Sequence, residues 1–417
     1  LINLSNLLKI GHLDKNTLFY FFITVWERLT FFILYLILAR TISVEKYGLI
    51  ITIFTFINIL SPFLELGLPF YIQREIARKN NIIKTFNSAL TLKIILAPFY
   101  FLLPFIYFGY NSETGYLLLI IPLIPLLVNL VFFLQSILYG RSDFKFPLIA
   151  ISISRTIFIS LVVLSCIFYY EFVSFLFLMV LILIIQLSLL IYKLRDLFKS
   201  FNLFIRFADL VASVKNSFPI GIGLIFITIS DRVDILILEK LIDLNSVAFY
   251  AVAYTIFRNL QIISTTLLIP EYTKISAQYT INKRIAAEKF QYYYKYILIV
   301  SFLLIFFFYF FSNPLLVLLF GIKYSESSIY LQLLTLAIPG VFLNHLTGII
   351  CNSTLNSKIP AYSTGLGTLI NLIVNFTTIP FWGIIGAVIS TIITEYFIFI
   401  FQFVFLYKND ILNFKRS

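Results

Sequence analysis

Apolar residues run along this chain in long stretches, and polar residues gather between them. Twelve runs stand out, at about 17–38, 48–68, 87–109, 117–138, 148–168, 173–192, 218–238, 247–269, 291–311, 327–350, 361–380 and 384–406. A helix of about 20 apolar residues crosses the hydrocarbon of a bilayer, so each run is predicted to form one membrane span. Several are punctuated by proline: Pro98 and Pro104 in the third, Pro122 and Pro125 in the fourth, Pro339-Gly340 in the tenth. Proline inside a membrane helix frees a carbonyl and permits a kink. Loops between the runs are short. The longest, 193–217, alternates apolar and basic residues (Leu194, Arg195, Leu197, Phe198, Lys199, Phe204, Arg206, Phe207), which predicts an interfacial amphipathic helix.

Composition narrows the class. Of 417 residues 60% are hydrophobic, which no soluble domain of this size matches. Cys166 and Cys351 both fall in or beside spans, and suggest neither a disulfide framework nor a metal site. His12 and His345 stand outside any ligand cluster, and no Walker-type phosphate loop is present, so ATP hydrolysis is excluded and no cofactor is expected. No cleavage pattern follows the first run, which is therefore expected to remain as a span. The formal charge of +12 orients the bundle and gives no reason to invoke nucleic acid. With the chain starting in the cytoplasm, the inner loops hold 21 Lys and Arg against four outside: Arg40, Lys46, Lys240 and Lys323. This positive-inside bias puts both termini in the cytoplasm.

A weak internal repeat divides the chain. Glu27-Arg28 precedes Ser43-Val44-Glu45-Lys46-Tyr47, as Asp231-Arg232 precedes Ser246-Val247-Ala248-Phe249-Tyr250. The next helices end at Pro69-Phe70-Tyr71 and Pro270-Glu271-Tyr272, followed by the basic segments Gln73–Thr85 and Lys274–Lys289. The offset stays between 201 and 204 residues. Six spans per half keep both halves in one orientation.

Charge inside the spans supplies the candidate chemistry. Eleven ionisable residues fall there: Glu27, Arg28, Glu65, Lys93, Arg155, Asp231, Arg232, Asp234, Arg258, Lys295 and Glu395. Each costs about 2.5–3.5 kcal/mol at mid-bilayer, so all facing lipid would cost on the order of 30 kcal/mol, against a total stability of about 5–15 kcal/mol. Most must face an interior. Lys295, beside Tyr292, Tyr293, Tyr294 and Tyr296, is expected to snorkel to the interface instead. Lys93, Arg155 and Arg258 have no acid one turn away in their own helices. They suggest unpaired interior cations that would attract an anion, and guanidinium suits phosphate through its planar fork. Glu65, Asp231, Asp234 and Glu395 are candidates to carry a coupling proton or cation. The alternative for the dense stretch Ser230–Asp234 is an internal ion pair that joins helices. Polar stripes such as Thr368, Asn371 and Asn375 are equally explained by interhelical hydrogen bonds, worth about 0.6 kcal/mol each.

Arg40 followed by Glu45-Lys46-Tyr47-Gly48, then Gly67 and Arg74-Glu75, then Asp231 and Tyr250, then Asn375, Pro380, Gly383 and Gly386-Ala387 form an ordered set across the chain. In this the chain resembles the Wzx-type O-antigen and polysaccharide flippases of the multidrug/oligosaccharidyl-lipid/polysaccharide (MOP) exporter superfamily. Ala248 and Trp382 depart from the usual pattern. The resemblance implies an all-α polytopic membrane protein, MATE-like. Twelve transmembrane helices would form two six-helix lobes, 1–200 and 201–417, about a central cavity. It implies a transporter, not an enzyme, in the bacterial inner membrane. The substrate would be an undecaprenyl-diphosphate-linked oligosaccharide, an O-antigen or capsule repeat unit, moved to the periplasmic leaflet against H+ or Na+. Arg28, Lys93, Arg155, Arg232 and Arg258 would hold the diphosphate, and Asn371 and Asn375 the sugar. Expected partners are membrane lipids, a polysaccharide polymerase and a chain-length regulator, with the chain itself a monomer. Two other readings remain open at this point: a multidrug antiporter of the same fold, and an integral-membrane glycosyltransferase. No outer loop reaches thirty residues, which counts against the last.

Overall fold

The computed structural model describes residues 15–78, 82–109, 115–167, 172–202, 206–279, 282–354, 356 and 358–412. His12 lies outside the described residues. Every described regular element is helical: α1 (Lys15–Thr41), α2 (Val44–Glu65), α3 (Leu68–Ala77), α4 (Ile82–Leu96), α5 (Phe99–Phe108), α6 (Leu117–Gly140), α7 (Lys145–Ile167) and α8 (Phe172–Lys193). They are followed by α9 (Arg195–Lys199), α10 (Phe207–Leu241), α11 (Leu244–Gln278), α12 (Ile285–Phe320), α13 (Ser327–Thr335), α14 (Ile338–Ser353), α15 (Lys358–Trp382) and α16 (Ile384–Lys408).

Among the described residues nine helices are long and apolar enough to cross a membrane, ten if the bent pair α13–α14 is one span. The two remaining predicted runs, 218–238 and 247–269, lie inside α10 and α11, each 35 residues long. Their charged and polar content, not their length, sets them apart from the others. The third run breaks at Ala97–Pro98 between α4 and α5, and the tenth bends by 42° between α13 and α14, just ahead of Pro339. The interfacial helix expected over 193–217 is not one element. The short α9 ends at Lys199, residues 203–205 lie outside the described set, and α10 is under way from Phe207. Ser200, Phe201 and Asn202, which leave the helix after Lys199, and the polar face of 207–217 explain why the pattern resembled a single amphipathic segment.

The chain forms two compact units, Leu1–Thr41 with Leu60–Ile222 and Ile42–Ile59 with Gly223–Ser417. In the first, α1 packs on α7, α7 on α8, and α8 on α6. Its core gathers Leu68, Ile72, Ile76, Phe86, Val131, Leu134, Leu138, Leu190 and Leu194. The Phe86 ring meets the edges of Phe198 at 5.3 Å and Phe201 at 6.2 Å. The opening turns of α10 belong to this unit, held along one face at four-residue intervals. Asp209 pairs with Lys84 at 2.8 Å and Ser213 Oγ meets Ser88 Oγ at 2.8 Å. A Cβ on Gly67 would stand 2.6 Å from the Ser217 carbonyl oxygen and 2.8 Å from the Gly221 amide nitrogen. Gly67 ends the Leu66–Gly67 break at φ 72°, in the left-handed region.

The second unit is built from the opening turns of α2, the rest of α10, and α11 to α16. Small residues bring its backbones together, as packing in lipid favours. A Cβ on Gly48 would lie 1.9 Å from the Leu244 carbonyl oxygen, and one on Gly386 would lie 2.6 Å from the Thr378 carbonyl carbon. Buried Tyr47 meets the edge of Tyr324, itself surrounded by Phe249 and Phe320. The 36 residues of α12 make about 54 Å of helix, longer than the roughly 30 Å hydrocarbon layer. Its Phe302, Leu303, Phe306 and Phe310 are exposed, as lipid contacts should be. Tyr292, Tyr294 and Tyr296 flank an exposed Lys295 near its start, the arrangement expected for a snorkelling lysine at the interface.

Gly48→Ala is expected to lower the thermal unfolding temperature in detergent measurably. A methyl group forced against a carbonyl oxygen is overpacking, at about 1–3 kcal/mol. Gly365→Ala, where nothing lies within 4 Å of the new atom, should leave it unchanged or slightly higher. Equal melting of the two variants would contradict the close approach of α2 to α11.

Candidate functional site

In the first unit Glu65, Lys93 and Arg155 are sealed among helices. Glu65, in the last turn of α2, receives a hydrogen bond from Lys93 on α4, and both are buried. The ammonium also sits 5.1 Å from the centre of the Phe133 ring, a cation–π contact. Glu65 Oε2 is buried with no partner among the described residues. Arg155 on α7 is only 2% exposed, and its charge is met electrostatically by Glu27 on α1. Its Nε and Nη1, and the amide of Gln186, are buried without a partner among the described residues, while the Gln135 side chain hydrogen-bonds Glu27. Arg28, one position from Glu27, is exposed.

The sequence suggests unpaired cations because acids are missing one turn away along α4, α7 and α11. The structure supplies them from other helices instead. Lys93 is neutralised by Glu65 and Arg258 by Asp231, so the expectation of bare interior cations fails for both. Spacing along one helix carries no information about a partner on another.

In the second unit, α10 presents two carboxylates one turn apart, each met by a phenol of α11. Asp231 accepts from the Tyr254 hydroxyl at 2.7 Å and pairs with Arg258 Nη2 at 2.8 Å. Arg232 Nε stands 3.9 Å from the same carboxylate. Asp234, 2% exposed, accepts from the Tyr250 hydroxyl and from the amide of Ile235 at 2.9 Å. The two tyrosine rings stack with centroids 5.4 Å apart. Residues four apart on α11 thus match residues three apart on α10. Arg258 keeps 42% of its side chain exposed, whereas the carboxylate of Asp231 keeps 20%.

Two further networks complete this unit. Asn371 and Asn375 on α15 are buried against α16. Asn371 Nδ2 donates to Thr394 at 3.3 Å and its Oδ1 accepts from Asn375 Nδ2 at 3.0 Å. Ser390 Oγ donates to the Asn371 carbonyl at 3.0 Å. Asn375 Oδ1 has no partner among the described residues. Glu395 on α16 accepts from Asn344 Nδ2 at 3.1 Å. His345 Nδ1 stands 2.7 Å from Ser264 Oγ. Among the described residues no group of three or more His, Cys, Asp or Glu could hold a metal ion.

The structure therefore brings Asp231, Arg232 and Arg258 together, and pairs Glu65 with Lys93. Arg155 keeps to the interior of the first unit, and Asn371 and Asn375 to the α15–α16 hairpin. Sequence reasoning missed the phenol partners. Tyr250 served as a marker of the repeat and of the family resemblance, although its spacing from Tyr254 is the signal of a shared helical face. It also missed Glu271, buried on α11 and paired with Lys289 at 2.8 Å, because the predicted span stopped at residue 269.

Comparison with known proteins places this geometry. The family model described as "Polysaccharide biosynthesis protein" matches residues 13–270, and the MatE model matches residues 219–377. No curated protein matches the chain. Among solved structures, an inward-facing multidrug resistance MATE family transporter of the MOP superfamily superposes with a TM-score of 0.73 at 17% identity, covering 99% of each chain. The lipid II flippase MurJ in an inward closed conformation gives 0.70 at 17% identity, over 95% of this chain and 89% of that one. A MOP superfamily transporter from Pyrococcus furiosus, whose binding pocket is described as reversed in polarity, gives 0.56 at 14% identity over 93% and 97%. The chain belongs to the polysaccharide biosynthesis protein family and has the multi-pass, all-helical fold of the MOP-superfamily transporters and flippases.

Proposed function

We propose that this chain is a flippase for an undecaprenyl-diphosphate-linked oligosaccharide, an O-antigen or capsule repeat unit. It would carry the molecule from the cytoplasmic to the periplasmic leaflet of a bacterial inner membrane, with both termini cytoplasmic. The family match over residues 13–270 carries this reading. The charge distribution supports it. The half-exposed Arg258 is suited to a diphosphate, since its guanidinium can exchange a carboxylate partner for a phosphate of the same fork geometry. Arg232 and Arg28 are further candidates for the anion, and the membrane itself would keep the prenyl tail.

Coupling would be to H+ or Na+ through Asp231, Asp234 and Glu395. The second unit offers a cation these carboxylates, phenol oxygens and the unpartnered Asn375 Oδ1, all hard oxygen ligands. In such a cycle the release of Arg258 from Asp231 would leave that carboxylate to the ion, so substrate and ion would compete for one salt bridge. A polymerase and a chain-length regulator remain the expected partners. A second reading, a multidrug antiporter of the same fold, is favoured by the MatE match over 219–377.

Complementation of a strain lacking its own repeat-unit flippase tests the proposal. Arg258→Ala is expected to cut surface glycan at least about tenfold at an unchanged amount of membrane protein, with Arg258→Lys intermediate. Normal glycan from Arg258→Ala would overturn the diphosphate role. Raised drug resistance on expression without glycan rescue would favour the antiporter.

Arg155→Ala should behave differently. Glu27 would lose its counter-charge inside a helix bundle, which costs about 3–5 kcal/mol, so the amount of folded protein should fall before any transport step is affected. Size-exclusion profiles in detergent read this directly.

For Lys93 and Glu65 the double variant decides between packing and transport. Lys93→Met alone should destabilise strongly, and Glu65→Leu added to it should recover most of the loss. Recovered stability with normal glycan would assign the pair to structure; recovered stability without glycan would assign it to the transport cycle.

A further inference from the structure

Glu395 is held by a hydrogen-bond chain whose direction is set from its far end. Ser363 Oγ donates to the Pro360 carbonyl at 3.0 Å, so it can only accept from Gln402 Nε2 at 2.9 Å. That orients the Gln402 amide. Its Oε1 must then accept from Thr347 Oγ at 2.7 Å, and its nitrogen also reaches Asn344 Oδ1 at 3.3 Å. Asn344 in turn has its oxygen engaged and points its nitrogen at Glu395 Oε2, 3.1 Å away. Reversing any one amide would set oxygen against oxygen or nitrogen against nitrogen. Gln402 is 1% exposed and Thr347 and Ser363 are fully buried, so water cannot substitute for a lost partner. Glu395 itself is only partly buried, and its Oε1 has no hydrogen-bond partner among the described residues.

We infer that Asn344 and Gln402 are positioning residues for Glu395: they pin one carboxylate oxygen to α14 and leave the other for the coupling cation. The inference rests on the coupling role proposed above for Glu395. Neither amide touches the ion. Gln402 fixes the Asn344 amide, and Asn344 always presents a donor, which is the group an ionised carboxylate accepts. A carboxylate so held offers its remaining oxygen as a cation ligand of fixed direction. Asp231 on α10 is the charged residue that acts on it electrostatically, and a cation between the two would relieve their repulsion.

A fluorescent carbodiimide reports on this arrangement without any substrate, because it reacts with protonated carboxyl groups in apolar surroundings and not with ionised ones. Purified protein in detergent is treated at one mildly alkaline pH, and the labelled carboxyls are located by tandem mass spectrometry. The parent chain is expected to label slowly at Glu395. Asn344→Leu should raise that rate at least about fivefold and Gln402→Met by a smaller factor, while Asp234 and Glu65 in the same samples keep their parent rates. Thr347→Val, which removes one hydroxyl at constant shape, serves if either variant fails to fold. An unchanged Glu395 rate in all variants would overturn the inference. So would a parallel rise at Asp234 and Glu65, since that marks general loosening. Glu395→Gln tested for glycan export separates the two claims. Normal export would remove the coupling role and leave the labelling result standing on its own.

Discussion

An ion taken out of water must be met by an opposite charge or by hydrogen bonds, and this chain is arranged around that requirement. At roughly 2.5–3.5 kcal/mol for each charge at mid-bilayer, a handful left unmet would exceed the whole stability of a domain. The two units meet it by different chemistry. The first closes carboxylate on ammonium or guanidinium, as in Glu65 with Lys93. The second has such a pair in Glu271 with Lys289, but sets Asp231, Asp234 and Glu395 against neutral donors, Tyr254, Tyr250 and Asn344, with Arg258 and Arg232 sharing Asp231. A phenol or amide can satisfy a carboxylate without cancelling its charge. The second unit therefore retains negative charge that a mobile cation can answer, and the first largely does not.

Most of the helical order was legible in the residues, because apolar runs of span length admit few alternatives. All twelve predicted runs fall in helices, and Pro98 and Pro339 mark the third and tenth as interrupted. Helix ends were less legible. α10 and α11 extend well past the apolar runs that announced them, carried by polar turns whose partners are elsewhere in the fold. Asp209, Ser213 and Ser217 look like a solvated face until Lys84, Ser88 and Gly67 are seen against them.

Charge pairing was the least legible part. The membrane-embedded ions could be named from the sequence, and the demand that they face inward held for Lys93, Arg155 and Asp234, each under a tenth exposed. Who faces whom could not be read, because Lys93 and Glu65 are 28 positions apart and lie on separate helices. Arg155 illustrates the limit. Its isolation along α7 suggested an open cation, while the structure buries it beside Glu27, over a hundred positions earlier in the chain. The Asp231–Tyr254–Arg258 cluster was closer to reach, since Asp231 and Arg258 had both been named as charges inside the spans.

The bend between α13 and α14 has a splint. Leu336, at the break, has its carbonyl taken by the Tyr396 hydroxyl at 3.1 Å, and a Cβ on Gly340 just beyond the break would stand 3.2 Å from both the ring and the backbone nitrogen of Tyr396. The neighbouring Glu395 grips Asn344 one turn further along α14. Two consecutive residues of α16 thus bond to the 42° elbow, one at the break and one two turns beyond it. The angle of that elbow and the aim of the carboxylate are then a single degree of freedom, so that straightening the one would swing the other.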